Sequence, residues 1–352
     1  MRGESIIPEV EVADAEGVES EAKIFKPVKA VLVSPSMAGA NNGNWHTAHR
    51  WAQFLSGYCD IALLQNWAPP ANMTQSAPQV MIALHARRSA ASIHAWAAAW
   101  PRKPLIVVLT GTDLYRDIHT DPDAQRSLAL ATHLVVLQEA GLAALPQVWR
   151  NKTTVIYQSA ATLRPALKPH RKFRALMVGH LRDEKDPLTF MRAAAQNRQT
   201  HIYYDQIGSD LDAGIASAAR STARLAPNYR WLGGLPRAAT RQHIKRAHVL
   251  VNCSKMEGGA HVILEAVQSG TPVLASNIVG NIGMLGAGYG GYFELGNDAQ
   301  LAALVKRCAA EPDFLALLQN QCAQRARLFT PGLEKRNVIN LVRSAMSLPQ
   351  DS

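Results

Sequence analysis

Two glutamates raise the first chemical question. In the stretch SKMEGGAHVILEAVQSGTPVLAS, from Ser254 to Ser276, Glu257 and Glu265 stand eight positions apart. Between them lie Gly258, Gly259 and the start of an apolar helix, which Gly270 and Thr271-Pro272 stop. A helix N-terminus attracts anions through its free N–H groups, and glycines there leave those groups open to a phosphate. Glu265 sits two turns further in, roughly 10 Å at 1.5 Å per residue. That is the reach from a diphosphate to a ribose, whose hydroxyls a carboxylate accepts. Two acids at this spacing fit a ligand with an anionic middle and hydroxyls at both ends. The plainer alternative makes Glu257 a helix cap and Glu265 an ion-paired side chain.

Other segments carry charge at comparable places. MVGHLRDEKDP sets His180, Arg182 and Lys185 just past an apolar run. Their place at a strand end suits Lys185 and Arg182 to a diphosphate. The alternative is Asp183 as a helix cap and Lys185 as surface charge. HARRS supplies His85, Arg87 and Arg88; TGTDLYRD supplies Thr110, Asp113 and Arg116; NNGNWHTAHR supplies Gly43, Asn44, His46, His49 and Arg50. Arg87 and Arg88 equally fit a solvated helix start, and Asp113 either orients an arginine or caps a turn. Asp121-Pro122-Asp123 has the DxD spacing of metal-dependent transferases, but Asp before Pro is an ordinary helix start and is read as one. His46 and His49 lack a third ligand. No metal and no cofactor are expected. Cys253 ends an apolar run and reads as a small core residue.

These residues need strand ends to hold them. Short apolar runs alternate with Ala-rich helical segments: KAVLV, DIALL, QVMIAL, PLIVVL, THLVVL and TTVIY, then RALMV, HIYYDQIG, YRWLGG, HVLVNCS and PVLAS. Runs apolar on both faces, each followed by a helix, mean parallel sheets covered by helices. Ligands of such sheets bind beyond the carboxyl ends of the strands, where the charged segments above all lie. The expectation is an α/β protein of two facing Rossmann-like domains. Residues 1–26 form a mobile acidic tail, 27–163 the first domain, 164–173 a linker and 174–333 the second domain. Residues 334–352 are a helix crossing back to the first.

Composition narrows the function classes. The chain has 352 residues, 47% of them hydrophobic, and a net charge of +10. The Lys and Arg are dispersed without interleaved aromatics, which argues against a nucleic-acid partner and for small anionic substrates. No apolar stretch is long enough to span a bilayer, and the acidic beginning lacks a signal-peptide layout. Four scattered cysteines give neither a disulfide framework nor a zinc knuckle. A cytoplasmic location is expected; the oligomeric state is not legible.

The glutamate stretch resembles the signature of the retaining glycosyltransferases of family four, which have the GT-B fold: Glu, seven residues, Glu, then a Gly-Thr-Pro-Val-like strand entry. By that resemblance Glu265 holds the nucleotide ribose and Glu257 contacts the transferred sugar. The amides of Gly258, Gly259, Ala260 and His261 bind phosphate and sugar. The chain departs at Gly259-Ala260, where the family has an aromatic and then a glycine. Lys185 matches the lysine of the family's phosphate loop, while His180 stands where an arginine is usual and Arg182 lies two residues on. WLGGLP, with Gly233, fits the loop that carries the base, and Gly43 and Asn44 complete the donor site.

NNGNWHTAHRW, IALHARRSAASI, VVLTGTDLYRDI, VGHLRDEKDP and SKMEGGAHVILEA together are similar to the selenosugar synthases of selenoneine biosynthesis, from about Lys29 to about Leu328. This implies a UDP-sugar, UDP-GlcNAc or UDP-glucose, reacting with selenophosphate to give a 1-selenosugar, UDP and phosphate. Glu257, Arg182 and Lys185 would be catalytic. His85, Arg87, Arg88, Thr110, Asp113 and Arg116 would hold selenophosphate, a small polyanion that needs cationic forks. Anionic selenium needs no general base, unlike an alcohol. Two other readings stay open: a glycosyltransferase with a hydroxyl acceptor, and a non-catalytic binder of nucleotides or RNA.

Overall fold

The computed structural model describes residues 28–40, 43–70, 77–169, 171–197, 199 and 201–347. The expected tail, residues 1–26, lies outside them. Among the described residues twelve strands form two six-stranded sheets, parallel throughout. The first comprises β1 (Val28–Val33), β2 (Cys59–Leu64), β3 (Val80–Leu84), β4 (Leu105–Val108), β5 (His133–Val136) and β6 (Thr153–Val155). The second comprises β7 (Phe173–Val178), β8 (Ile202–Ile207), β9 (Tyr229–Trp231), β10 (Val249–Asn252), β11 (Val273–Ser276) and β12 (Tyr292–Phe293). All eleven apolar runs are strands; β12, two residues long, has too little pattern to be read.

The strand orders differ. The first sheet runs β2-β1-β3-β4-β5-β6 and the second β12-β11-β10-β7-β8-β9. The order therefore reverses between β1 and β3 in one sheet and between β7 and β10 in the other. Crevices at such switch points are where open α/β sheets take their ligands. Strand alternation splits the first core into two faces: Val31 and Val33 pack with Met81 and Trp96, while Ala30 and Leu32 pack with Trp51 and Ile82. A separate core, which includes Leu176, Tyr204, Val251 and Ile263, fills the second domain.

The last helix, Pro331–Ser347, starts three residues before position 334, with Pro331 in its first turn. Its Val338, Leu341, Val342 and Ala345 are buried against the Trp51 face of the first domain. Burying Val338, Leu341 and Val342 contributes about 1.5–3 kcal/mol each, which fixes the helix there. Asp121 caps the helix Pro122–Leu130 by accepting from Ala124 N at 2.9 Å. Asp183 does not cap. It lies in the 3-10 turn Asp183–Lys185 and pairs with Lys255 at 2.6 Å. Asp186, at φ 44°, precedes the following helix, Pro187–Gln196, instead. All four cysteines are buried and free, Cys253 among them.

Candidate active site

The carboxyl ends of the two sheets face each other across a cavity of about 580 Å³. From the second domain His180, Arg182, Lys185, Glu257 and Glu265 line it, with Gly258, Gly259 and His261. From the first domain Gly43, Asn44, His85, Arg88 and Thr110 line it. Five expected contacts are absent from its walls: Arg87, Asp113, Arg116, Gly233 and Ala260.

On the second-domain wall the carboxylates are already engaged. Glu257 is 8% exposed and accepts from Lys185 Nζ at 2.5 Å and from Ser254 Oγ at 2.6 Å. Burial pushes its carboxyl up, but Lys185, with hydrogen bonds from Lys185, Ser254 and Asn252, outweighs that and holds it below the ordinary glutamate value. Glu265, 4% exposed, pairs with Arg237 Nε at 3.2 Å and lies 3.8 Å from Arg241 Nε. Here burial wins over Arg237 and Arg241, and the carboxyl is raised. Sequence reading missed Arg237 and Arg241. Their signal was a basic pair at i, i+4 directly after the WLGGLP loop, on the helix Arg237–Arg246. His180 Nδ1 accepts from Ser209 N at 3.2 Å and ties the loops after β7 and β8 together. Arg182 Nε stands 4.0 Å from Glu184. Gly208 sits where these loops cross, and a Cβ there would fall 1.9 Å from the Gly179 carbonyl oxygen.

The first-domain wall is held through its backbone. Asp113, fully buried, accepts from the amides of Ala86 at 3.0 Å and of Thr110 and Gly111 at 2.9 Å. It therefore clamps the loops after β3 and β4 together and does not reach the cavity. His85 is part of this clamp, with φ 71° and Nε2 3.0 Å from Thr112 Oγ1. A left-handed backbone at a non-glycine residue is costly and persists only where its surroundings impose it. Burial lowers the His85 imidazole, against the opposing pull of Asp113, and keeps it neutral at pH 7. His46, also on the wall, is pushed down to about 4 by burial and by Arg237, Arg50 and His49. Arg87 and Arg116 correct the expectation of a three-arginine fork. Both turn to Asp117, at 2.8 and 3.0 Å. Arg88 lines the cavity; its backbone N–H donates to His85 Nδ1 at 3.3 Å, and its guanidinium has no ion-pair or hydrogen-bond partner among the described residues.

The glycine pair is needed for a reason the sequence does not show. The helix His261–Val267 begins after Ala260, so Gly258 and Gly259 precede it. A Cβ on Gly258 would lie 2.1 Å from the Thr110 carbonyl oxygen, and one on Gly259 would lie 2.9 Å from Leu137 Cβ. The two domains touch there backbone to backbone. Among the described residues no three His, Cys, Asp or Glu side chains gather as a metal site, and no helix is long and apolar enough to cross a membrane.

Residues 160–329 match the family described as Glycosyl transferases group 1. Glycosyltransferase 1 domain-containing protein 1 of Xenopus tropicalis is 29% identical over 147 residues, 41% of this chain. The aligned part spans 42% of that curated relative. Among solved structures, Anabaena HepE in complex with UDP and glucose superimposes with a TM-score of 0.71 at 16% identity, over 90% of this chain and 100% of that one. Sucrose-phosphate synthase from Thermosynechococcus elongatus does so with a TM-score of 0.70 at 16% identity, over 90% and 98%. The chain has the GT-B fold, and its second domain carries the group 1 glycosyltransferase match.

Proposed function

We propose that the protein is a glycosyltransferase that takes a UDP-sugar on its second domain and a small anion, selenophosphate, on its first. The observation that carries this reading is the distribution of charge around one cavity. The second-domain wall sets Glu265 with Arg237 and Glu257 with Lys185, acceptors and cations that suit the hydroxyls and diphosphate of a nucleotide sugar. The opposite wall offers two neutral imidazoles and the unpartnered Arg88. HepE, on the same fold, was solved with UDP-glucose, which supports a UDP-sugar as the donor class.

In the reaction the selenium of selenophosphate forms a bond to C1 of the sugar, and the C1–O bond to the diphosphate breaks. UDP leaves with the electron pair. Lys185 and Arg182 stabilise the charge that develops on it. Water then cleaves the P–Se bond, giving phosphate and the 1-selenosugar. Selenium arrives as an anion, so the first-domain wall has to desolvate and aim it rather than deprotonate it.

Incubation with UDP-GlcNAc or UDP-glucose and selenophosphate tests this. The expected result is UDP release with a selenium–carbon product, seen by selenium-77 NMR. Turnover with hydroxyl acceptors and none with selenophosphate would overturn the acceptor assignment. RNA binding with a steep salt slope and no UDP-sugar turnover would overturn the enzyme reading altogether.

A further inference from the structure

Arg50 belongs to the first domain, on the helix Gly43–Leu55, yet it acts on a residue of the second. Its Nε and Nη2 form a fork on Glu334, at 2.7 and 3.0 Å. Glu334, fully buried in the first turn of the helix Pro331–Ser347, also accepts from Trp51 Nε1 at 2.7 Å and Ser159 Oγ at 2.5 Å. Its two oxygens thus take four hydrogen bonds, which fills a carboxylate's capacity and fixes the guanidinium plane. The remaining Arg50 nitrogen, Nη1, stands 3.1 Å from His261 Nε2.

That contact decides a tautomer. A guanidinium only donates, so His261 Nε2 must accept, and the ring proton sits on Nδ1. Nδ1 is 3.6 Å from Glu265 Oε1, too far for a hydrogen bond. His261 lines the cavity beside Glu265, and Nδ1 is the ring nitrogen on the Glu265 side.

We propose that His261 Nδ1–H donates to an oxygen of the bound nucleoside diphosphate next to Glu265, and that Arg50, braced by Glu334, is the positioning residue that selects this tautomer. This rests on the donor reading above. It makes a donor-site hydrogen bond depend on first-domain and crossing-helix residues. Burial, Arg50, Arg237, His46 and Arg241 together keep the ring neutral, with Glu265 facing it as the opposing charge.

A double-mutant cycle read by calorimetric titration of UDP tests the proposal. Arg50→Gln is expected to weaken UDP about tenfold in the parent and less than about threefold in a His261→Asn background. Equal losses in both backgrounds would overturn the proposal. Arg50→Gln is also expected to shift the pH profile of UDP affinity relative to the parent, because removing one of the cations beside His261 makes its ring easier to protonate. An unchanged pH profile counts against it. His261→Asn leaves the Arg50–Glu334 fork intact and so avoids a folding defect; it is expected to weaken UDP about fivefold, and no loss overturns the proposal. Arg50→Lys, which keeps the charge on Glu334 but not the donor on His261, is expected to restore the melting temperature more than the UDP affinity. If UDP fails to bind the parent protein, the donor reading falls and this proposal with it.

Discussion

The two walls of the cavity are built on opposite plans. The second-domain wall carries its charges in pairs: Lys185 on Glu257, Arg237 on Glu265, Arg182 near Glu184. Each cation there is held in place by an anion that a ligand must displace or share. The first-domain wall is shaped by Asp113 from behind, through the amides of Ala86, Thr110 and Gly111, and shows the cavity neutral groups and one unpartnered arginine. A large ligand of mixed charge and hydroxyls suits the first plan. A small anion that must lose its water suits the second, where one cation in an otherwise neutral wall sets its position.

The sharpest break in this contrast is Lys185→Ala. It leaves Glu257 buried without its counter-charge and removes the cation proposed for the diphosphate, so kcat/KM should fall at least about a hundredfold. Steady-state kinetics with saturating acceptor measure this. Gly258→Ala comes next. Its Cβ would drive Thr110 away and hold the domains apart, lowering kcat about tenfold or more with UDP affinity little changed. Similar losses in kcat and UDP affinity would place the contact on the donor side alone.

Glu265→Gln should weaken UDP about tenfold by calorimetry, since it replaces the charged acceptor proposed for the ribose. The pH dependence has a definite sign. The Glu265 carboxyl is raised, so the parent should lose UDP affinity as pH falls through a value above the ordinary glutamate pKa. The glutamine variant should lack that acid limb. Arg88→Ala should raise the KM for selenophosphate several-fold and leave UDP binding unchanged. Arg87→Ala should change either constant by less than about twofold, because Arg87 is held by Asp117 away from the cavity. An effect of Arg87→Ala equal to that of Arg88→Ala would restore the three-arginine fork.

The sheets were legible in the sequence because both faces of most strands are buried, which leaves continuous Val, Ile and Leu runs. The two cavity carboxylates were legible because Glu257 and Glu265 share one short segment with the glycines that mark it. Arg237 lies 28 residues from Glu265, and nothing local connects them. The basic strand ends were overread for a related reason. In TGTDLYRD, Asp117 takes both Arg87 and Arg116, and the choice between a neighbouring carboxylate and a ligand depends on which way each side chain leaves the backbone. Asp113–Asp117 is a π-helical turn, whose extra residue relative to an α-turn moves Arg116 to another face. The purpose of Gly258 was hidden because the atom it avoids belongs to Thr110, in the other domain.

The chain passes between the domains twice, near Ser159 and near Thr330. These passages are fastened to each other: Ala160 N donates to Phe329 O at 3.2 Å, and Ser159 Oγ to Glu334. Two joined pivots remove most of the six degrees of freedom that a pair of rigid bodies would otherwise have. A swing about one line, as of a door on its pins, is the motion such a seam permits. A disulfide or a bulky residue at this seam would lock the swing without touching either wall.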